Sequence, residues 1–544
     1  MHKNFDALPR TAANYVALTP LSFLSRAAGV FGDREAVSYG DHRYSWSDVE
    51  RRCQAFASAL VARGIGLGDT VSVIAPNIPA LFELHYAVPM TGAVLNTINS
   101  RLEAETIAYI LDHADSQLVI ADSAYAPLLR AAFDILGREI PVIDIIDDQA
   151  GATPGFGQHN YEDMIASGDG GFAPRLPADE WQALALNYTS GTSGKPKGVV
   201  YHHRGAYLMS MGTIAGWNVP QNPVYLSVVP MFHCNGWNHP WAMAMVGARM
   251  VFTRDALPQK LFRAIKEEGV THFGAAPVIL AMLADSEDAP EAPFSPPLKV
   301  FTAGAPPPPA VLAKTRALGF EVMQVYGLTE TYGHVSQCIW REEWDALSAD
   351  EQAEMQAMQG VGFPMVEGFA VVDRATGGEV PKDGKTQGEI AIRGNVVMKG
   401  YYKDATATAA AFENGQFWSG DGAVVHANSY VQIKDRLKDV IISGGENISS
   451  VEVENALHHH PAIAAVAVVA MPHPKWGESP CAFVELRSDA AADEAGIIAF
   501  CKERLAGFKV PKAVVFGDLP KTATGKIQKF LLRERAREMG KDKT

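Results

Sequence analysis

Cysteine is scarce in this 544-residue chain: Cys53, Cys234, Cys338, Cys481 and Cys501 are scattered and never stand in a CxxC spacing. An odd, dispersed set argues against a disulfide framework or a zinc site and points to a reducing compartment, here expected to be the cytoplasm. Positive charge is short as well, with 47 lysines and arginines against 61 acids and a net charge of −14. Without a basic block, the chain has no broad face for nucleic acid or an anionic membrane. The run from Arg533 to Lys543 alternates with acids and apolar residues, as on a solvated helix. No window approaches the roughly 18 unbroken apolar residues of a membrane span. The first twenty residues hold no apolar stretch of signal-peptide length, so export is not expected. What is present is an ordinary globular composition, 47% hydrophobic and 20% charged, long enough for several structural units. A large intracellular enzyme is the expectation.

Short β-branched runs alternate with longer amphipathic ones. VSVIAP (71–76), QLVIAD, PVIDII, VYLSVVP, RMVFTRD, KVFTAGA and VMQVYG read as strands, and IPALFELHYAVPMTGAVL has helical periodicity. The rhythm predicts an α/β fold of largely parallel sheets packed with helices. Beyond the charged hexapeptide KDRLKD, about a hundred residues read as a compact α+β unit, with SVEVENALHHH and GIIAFCKERLA as helices and IAAVAVVAMP and CAFVELR as strands. The predicted division is a body over 1–437 and a small mobile lid over 438–544, hinged at Lys438. His458, His459 and His460 close a helix pattern before Pro461, where they suit the negative end of the helix dipole better than a metal.

Four segments could carry chemistry. In YTSGTSGKPKGVVYHH (188–203), four hydroxyl residues, three glycines and two lysines fall within eleven positions. Glycine lets backbone N–H groups turn inward, hydroxyls add donors and lysine adds charge, which together cradle phosphate oxygens. The register is not that of a Walker A loop, since Pro196 stands five places after Gly191. QVYGLTETYGH (324–334) is a strand ending in Tyr326-Gly327 with Glu330 just beyond, a position suited to Mg²⁺ beside phosphates. In FWSGDGAVV (417–425), Asp421 lies between glycines, either capping its own turn or accepting two ribose hydroxyls. LPKTATGKIQK (519–529) puts Lys526 on a short polar turn.

Taken in this order, the four segments resemble the adenylate-forming superfamily of acyl-CoA synthetases, luciferases and peptide-synthetase adenylation domains. TSGTSGKPKG is similar to its phosphate loop, YGLTE to its adenylate and magnesium segment, and SGD to its ribose acid. KDRLKDVIISGGENIS is similar to its hinge and pantetheine tunnel, and PKTATGK to its catalytic-lysine loop. The likeness runs from about Leu21 to Arg535. It implies ATP, Mg²⁺ and coenzyme A as cofactors and a two-step ligation through an acyl-adenylate. By resemblance, Thr189, Ser190, Gly191, Thr192, Ser193, Gly194 and Lys197 wrap the phosphates, and Thr189 and Glu330 hold the metal. Gly304, Ala305, Pro306, Tyr326 and Gly327 flank the adenine, Thr329 meets the α-phosphate, and Asp421 and Arg436 take the ribose. Lys526 bridges carboxylate and phosphate oxygens. Lys438, Gly444, Gly445 and Glu446 belong to the hinge and CoA path. The family often has Gly before the hinge arginine, where Asp435 stands here.

PMFHCNGWNHPW (230–241) resembles acyl-CoA synthetases that act on free acids, among them the 3-methylmercaptopropionyl-CoA ligases and the plant acyl-activating enzymes. The resemblance makes His233 a gate beside the carboxylate and places Trp237, Gly327 and Gly333 around the acyl group. A tryptophan plug predicts short or medium acids, with 3-methylmercaptopropionate one of them; Trp241 reads equally as core. Other readings are an aryl (benzoate or cinnamate) ligase, a free-standing adenylation enzyme loading a carrier protein, luciferase-like oxidation, or nucleotide binding without chemistry. A homodimer is expected from the family and from the amphipathic PLSFLSRAAGVFG, and the terminal KDKT is not a peroxisomal address.

Overall fold

The computed structural model describes every residue except 1–4, 152–154, 190–194, 305, 306, 308, 438, 444, 445, 489, 522–526 and 542–544. Two sheets dominate the first three-quarters of the chain. In the eight-stranded sheet the fully buried strand Thr70–Ile74 lies between Val94–Thr97 and Ser116–Asp122, all parallel, and the order continues through Ala183–Thr189 to an antiparallel edge of Lys197–His202 and Gly400–Tyr401. The nine-stranded sheet has a parallel centre formed by Val224–Leu226, His272–Ala275, Leu298–Thr302 and Phe320–Tyr326. The strands are β-branched runs buried on both faces, as parallel sheets require. One apolar cluster containing Trp46, Phe56, Phe82, Tyr201, Trp241 and Phe301 joins the intervening helices to both sheets. A four-stranded antiparallel sheet follows, ending in Phe417–Val425 paired with Val431–Arg436.

The smaller C-terminal domain is built on the antiparallel pair Ile463–His473 and Gly477–Leu486, with Ala513–Phe516 parallel on its edge. Its helices Ser450–His458 and Glu494–Lys502 cover a separate core that includes Ile441, Val453, Leu457, Val468, Val484 and Ile497. The α/β architecture with a large N-terminal body and a small C-terminal unit is therefore the one the residue pattern predicts.

Three local readings change. The helix begun at Pro79 stops at Ala87, because Pro89 cannot donate to its fourth neighbour; Val94–Thr97 is a strand, not more helix. The first half of KDRLKD is not an exposed linker. Lys434, Asp435 and Arg436 finish a strand, with Asp435 buried and its Oδ2 accepting the Ser450 N–H at 2.6 Å, so the residue that replaces the family's glycine ties the helix start to the strand end. The amphipathic Leu21–Phe31 helix, the sequence feature behind the dimer expectation, spends its apolar face on its own chain: Leu21, Phe23, Leu24 and Ala27 are buried, packed on Trp46–Ala62 and His239–Met245.

Candidate active site

Leu298–Thr302 and Phe320–Tyr326 are parallel neighbours, and Ala183–Thr189 of the other sheet contacts the Thr329–Thr331 turn just beyond Tyr326, at the strand ends where α/β sheets bind ligands. Tyr326 ends its strand with the phenol donating to Asp421 Oδ2 at 2.7 Å. Arg436, opposite Asp421 in the antiparallel register, places Nε 2.6 Å from Oδ1. Asp421 is in mid-strand, not in the tight turn the flanking glycines suggested; Gly420, at φ +74°, and a bulge after Gly422 bend the strand around it. Burial works against the Arg436 charge, but the carboxylates of Asp421 and Glu330 outweigh it and hold its pKa above the ordinary value. Burial, then Asp421, pushes the Tyr326 phenol well up, so it stays a neutral donor. A carboxylate has about four lone-pair sites, and these two partners leave room for hydroxyls of a ligand. Gly304, at φ +94°, presents bare backbone: a Cβ built there would meet nothing within 4 Å among the described residues. Ala305 and Pro306 lie outside the described residues.

A second cluster surrounds Glu330. Its Oε1 accepts the Tyr401 hydroxyl at 2.8 Å, and its backbone oxygen accepts the Met398 N–H at 2.8 Å. Lys197, paired with Thr189 across the edge strands, holds Nζ 4.8 Å from the Tyr401 ring centroid. Ser190, Gly191, Thr192, Ser193 and Gly194, which join these strands, lie outside the described residues, as do Lys438, Gly444, Gly445 and Lys526. Glu446 opens the strand Glu446–Ile448 and is exposed. Among the described residues, no cation lies within salt-bridge distance of the half-buried Glu330 carboxylate; its hydrogen-bond donor is a neutral phenol. Such an oxygen keeps lone pairs for a hard cation, so Glu330 fits Mg²⁺, which takes one or two carboxylates and fills the rest with phosphate and water.

The third cluster is the predicted acyl wall. Cys234, Asn235, Gly236, Trp237 and Asn238 all have positive φ, from 48° to 62°. Four non-glycine residues in the left-handed region cost roughly 1–2 kcal/mol each, asparagine least. Buried hydrogen bonds hold the turn. Asn187 Nδ2 donates to Asn235 Oδ1 at 2.7 Å, Asn235 Nδ2 donates to His85 Nε2 at 3.2 Å, and Asn238 donates to the Tyr332 carbonyl. Asn77 braces the approach, donating to the Val229 carbonyl and accepting from the Met231 N–H, each at 2.8 Å. The turn stands Trp237 against Gly333, where a Cβ would come within 3.2 Å of Trp237 Cα, and against Gly274, where the gap to Cζ3 would be 3.3 Å. Gly327 is tighter still, since a Cβ would lie 2.5 Å from His334 Cα. Trp241 is core: fully buried, it donates to the His85 carbonyl at 3.1 Å. His233 is half-buried, its Nε2 3.6 Å from Cys234 Sγ, and that thiol also lies 3.6 Å from Thr329 Oγ1. Burial pushes the Cys234 pKa up to about 12, which makes it a packing thiol and no nucleophile.

Sequence reasoning missed Tyr401, Asn187 and His85. Only the left-handed turn had a local signal, the NGWN run, because asparagine and glycine are the residues that tolerate positive φ.

Residues 24–402 match the model of the AMP-binding enzyme family, and residues 452–526 that of the AMP-binding enzyme C-terminal domain. The chain is 47% identical to the peroxisomal acetate/butyrate–CoA ligase of Arabidopsis thaliana, with 99% of this chain and 98% of that protein covered. It is 44% identical to the peroxisomal trans-cinnamate:CoA ligase of Petunia hybrida, over 98% of this chain and 97% of that one. Its fold matches the anthranilate CoA ligase solved with anthranoyl-AMP, at TM-score 0.85 and 23% identity, over 98% of this chain and all of the other. The cytoplasmic expectation is overturned here, because both plant relatives are peroxisomal. Free cysteines separate a reducing compartment from the secretory pathway but do not separate one reducing compartment from another.

Proposed function

Given that the chain belongs to the AMP-binding enzyme family and is an AMP-forming acyl-CoA synthetase using ATP, Mg²⁺ and coenzyme A, we propose that its acid is short and aliphatic. The observation that carries this reading is Trp237, 5% exposed and wedged between two glycines on a turn of the unfavoured hand. A side chain fixed in that way closes the acyl channel a few carbons from the carboxylate. The acetate/butyrate ligase among its relatives supports the same size class, and 3-methylmercaptopropionate falls within it.

In the first step a carboxylate oxygen attacks the α-phosphorus of ATP, the bond to the bridging oxygen of the β-phosphate breaks, and pyrophosphate leaves. Tyr326 and the backbone at Gly304 flank the adenine, while Asp421 accepts the ribose hydroxyls with its carboxylate oriented by Arg436. Lys197 and the 189–194 loop hold the outgoing phosphates, Thr329 meets the α-phosphate, and Lys526 draws carboxylate and phosphate oxygens together. Glu330 and Thr189 would hold Mg²⁺, which neutralises phosphate charge when bound. This is catalysis by positioning and fixed charge. In the second step the CoA sulfur attacks the acyl carbon, the carbon–oxygen bond to AMP breaks, and AMP leaves. The thiol needs the face that Lys526 covered, so the part beyond Lys438 must turn, with Gly444, Gly445 and Glu446 then lining the pantetheine path and His233 gating the carboxylate side.

The test is pyrophosphate release over acetate, propionate, 3-methylmercaptopropionate, butyrate, hexanoate, octanoate, benzoate and cinnamate, with and without CoA. The best kcat/KM is expected at or below six chain atoms. A best rate on octanoate, benzoate or cinnamate would overturn the short-acid reading.

A further inference from the structure

Tyr401 touches both halves of the phosphate end of the site. Its hydroxyl donates to Glu330 Oε1 at 2.8 Å, and its ring face lies 4.8 Å from Lys197 Nζ. The residue is itself over-determined. Gly400–Tyr401 pairs antiparallel with the strand that Lys197 begins, Tyr401 standing opposite Val199. Its N–H donates to Thr408 Oγ1 at 2.9 Å, and the next N–H, of Tyr402, donates to the Gly198 carbonyl at 2.7 Å. The same short segment pins the Glu330 backbone through the Met398 N–H. The backbone that carries the ring is therefore fixed relative to both neighbours.

Two cations stand ready to capture the Glu330 carboxylate if it were released. Lys197 sits on the Tyr401 ring, and Arg436 lies at Asp421, which takes the hydrogen bond of Tyr326, four residues before Glu330. A carboxylate paired with either would be a poor metal ligand. We propose that Tyr401 is a positioning residue for adenylation: its hydroxyl aims the Glu330 carboxylate away from the neighbouring cations and toward the metal, and its ring seats the Lys197 ammonium facing the phosphates. The role deepens the reading above, in which Glu330 takes the metal and Lys197 the phosphates, and it depends on that reading.

The two contacts come apart by substitution. Tyr401→Phe keeps the ring and loses the hydroxyl, whereas Tyr401→Leu loses both. With Mn²⁺ as an electron-paramagnetic probe and an ATP analogue carrying a methylene between the α- and β-phosphorus, Tyr401→Phe is expected to weaken Mn²⁺ binding about tenfold, as outer-shell partners of metal ligands do. Its ATP KM in pyrophosphate release should stay within about twofold at saturating Mg²⁺. Tyr401→Leu should weaken Mn²⁺ equally and also raise the ATP KM by about 2–5-fold, the worth of one lost cation–ring contact. Should Tyr401→Leu not fold, Tyr401→Trp, which keeps an aromatic face without the phenol, is expected to behave as Tyr401→Phe. Unchanged Mn²⁺ affinity in Tyr401→Phe, or the same losses in both readouts for Phe and Leu, would overturn the proposal. Glu330→Gln separates the two levels. If it weakens Mn²⁺ while Tyr401→Phe does not, positioning by Tyr401 fails alone; if Glu330→Gln leaves Mn²⁺ untouched, the metal assignment fails and takes the role of Tyr401 with it.

Discussion

Replacing Trp237 with glycine should lengthen the acids this enzyme accepts, and the geometry sets the size of the effect. A buried indole covers about 150–250 Å², and a methylene about 30 Å² at the usual area coefficient. Removing the ring therefore opens space for roughly five to eight methylenes, enough to take octanoate where butyrate fitted. Four additional methylenes at ~0.8 kcal/mol each give ~3 kcal/mol, or on the order of 10²-fold in the ratio of kcat/KM for octanoate over butyrate. The backbone adds a second, independent expectation. Truncating a buried tryptophan costs about 3–5 kcal/mol in stability, and alanine is ordinarily the milder replacement. At Trp237 the φ of +56° reverses that order. Alanine keeps a left-handed penalty of about 1–2 kcal/mol that glycine does not have. Trp237→Gly should thus melt no lower than Trp237→Ala. The assays are pyrophosphate release across even-numbered acids from acetate to decanoate, and thermal melts of both variants. A folded Trp237→Gly enzyme whose octanoate-to-butyrate ratio moves by less than threefold would refute the plug. Trp237→Ala melting above Trp237→Gly would refute the strain at that position.

Lys526→Ala should slow pyrophosphate release about 10²–10³-fold, the cost of one preorganised group at the reacting phosphate, while CoA still consumes supplied acyl-adenylate; equal loss of both activities would count against the assignment. Lys438→Pro, which fixes φ, should leave pyrophosphate release largely intact and abolish thioester formation, and a variant that still makes acyl-CoA would sink the turning-lid account. Acid should weaken the fold through its buried histidines. Burial holds His85 and His202 at about 4 and His203 and His334 at about 3, against 6.5 for an exposed imidazole. Below 6.5 the unfolded chain binds protons that the folded chain refuses, so stability is full above that pH and falls on the way down, to 4 for the first pair and 3 for the second, by about 2 kcal/mol per histidine at pH 5. Denaturant midpoints at pH 7 and pH 5 test this, and equal midpoints would contradict it.

Where residues announce their own geometry, the chain could be read directly. Buried runs such as Thr70–Ile74 became strands, and Tyr326 ended its strand where expected. The segments around Tyr326, Glu330 and Asp421 were found by composition and order. The pairings that make them a site were not readable: Tyr326 to Asp421 spans 95 positions and Tyr401 to Glu330 spans 71, and no local pattern encodes a contact at that range. Asp421 misled because glycines flanking an acid mark a turn in isolation, yet neighbouring strands drew this segment into a bulged strand. KDRLKD misled because charge reads as exposure, although a buried aspartate can be satisfied by a helix N–H. Leu21–Phe31 shows the reverse error, a genuinely amphipathic helix whose apolar side was already claimed within its own chain.

The backward-handed stretch from Cys234 to Asn238 also bears on how such an enzyme can change. A right-handed turn tolerates revision one letter at a time, but this left-handed run is pinned at Asn235 by Asn187 and His85 and at Asn238 by the Tyr332 carbonyl, residues borrowed from distant parts of the chain. A lone exchange to a branched residue, or a single insertion, should unwind the whole segment and carry Trp237 off the channel. If this segment walls the acyl chamber as proposed, it changes as a block, and a graft of 229–241 should carry Asn77, His85, Asn187 and Tyr332 with it.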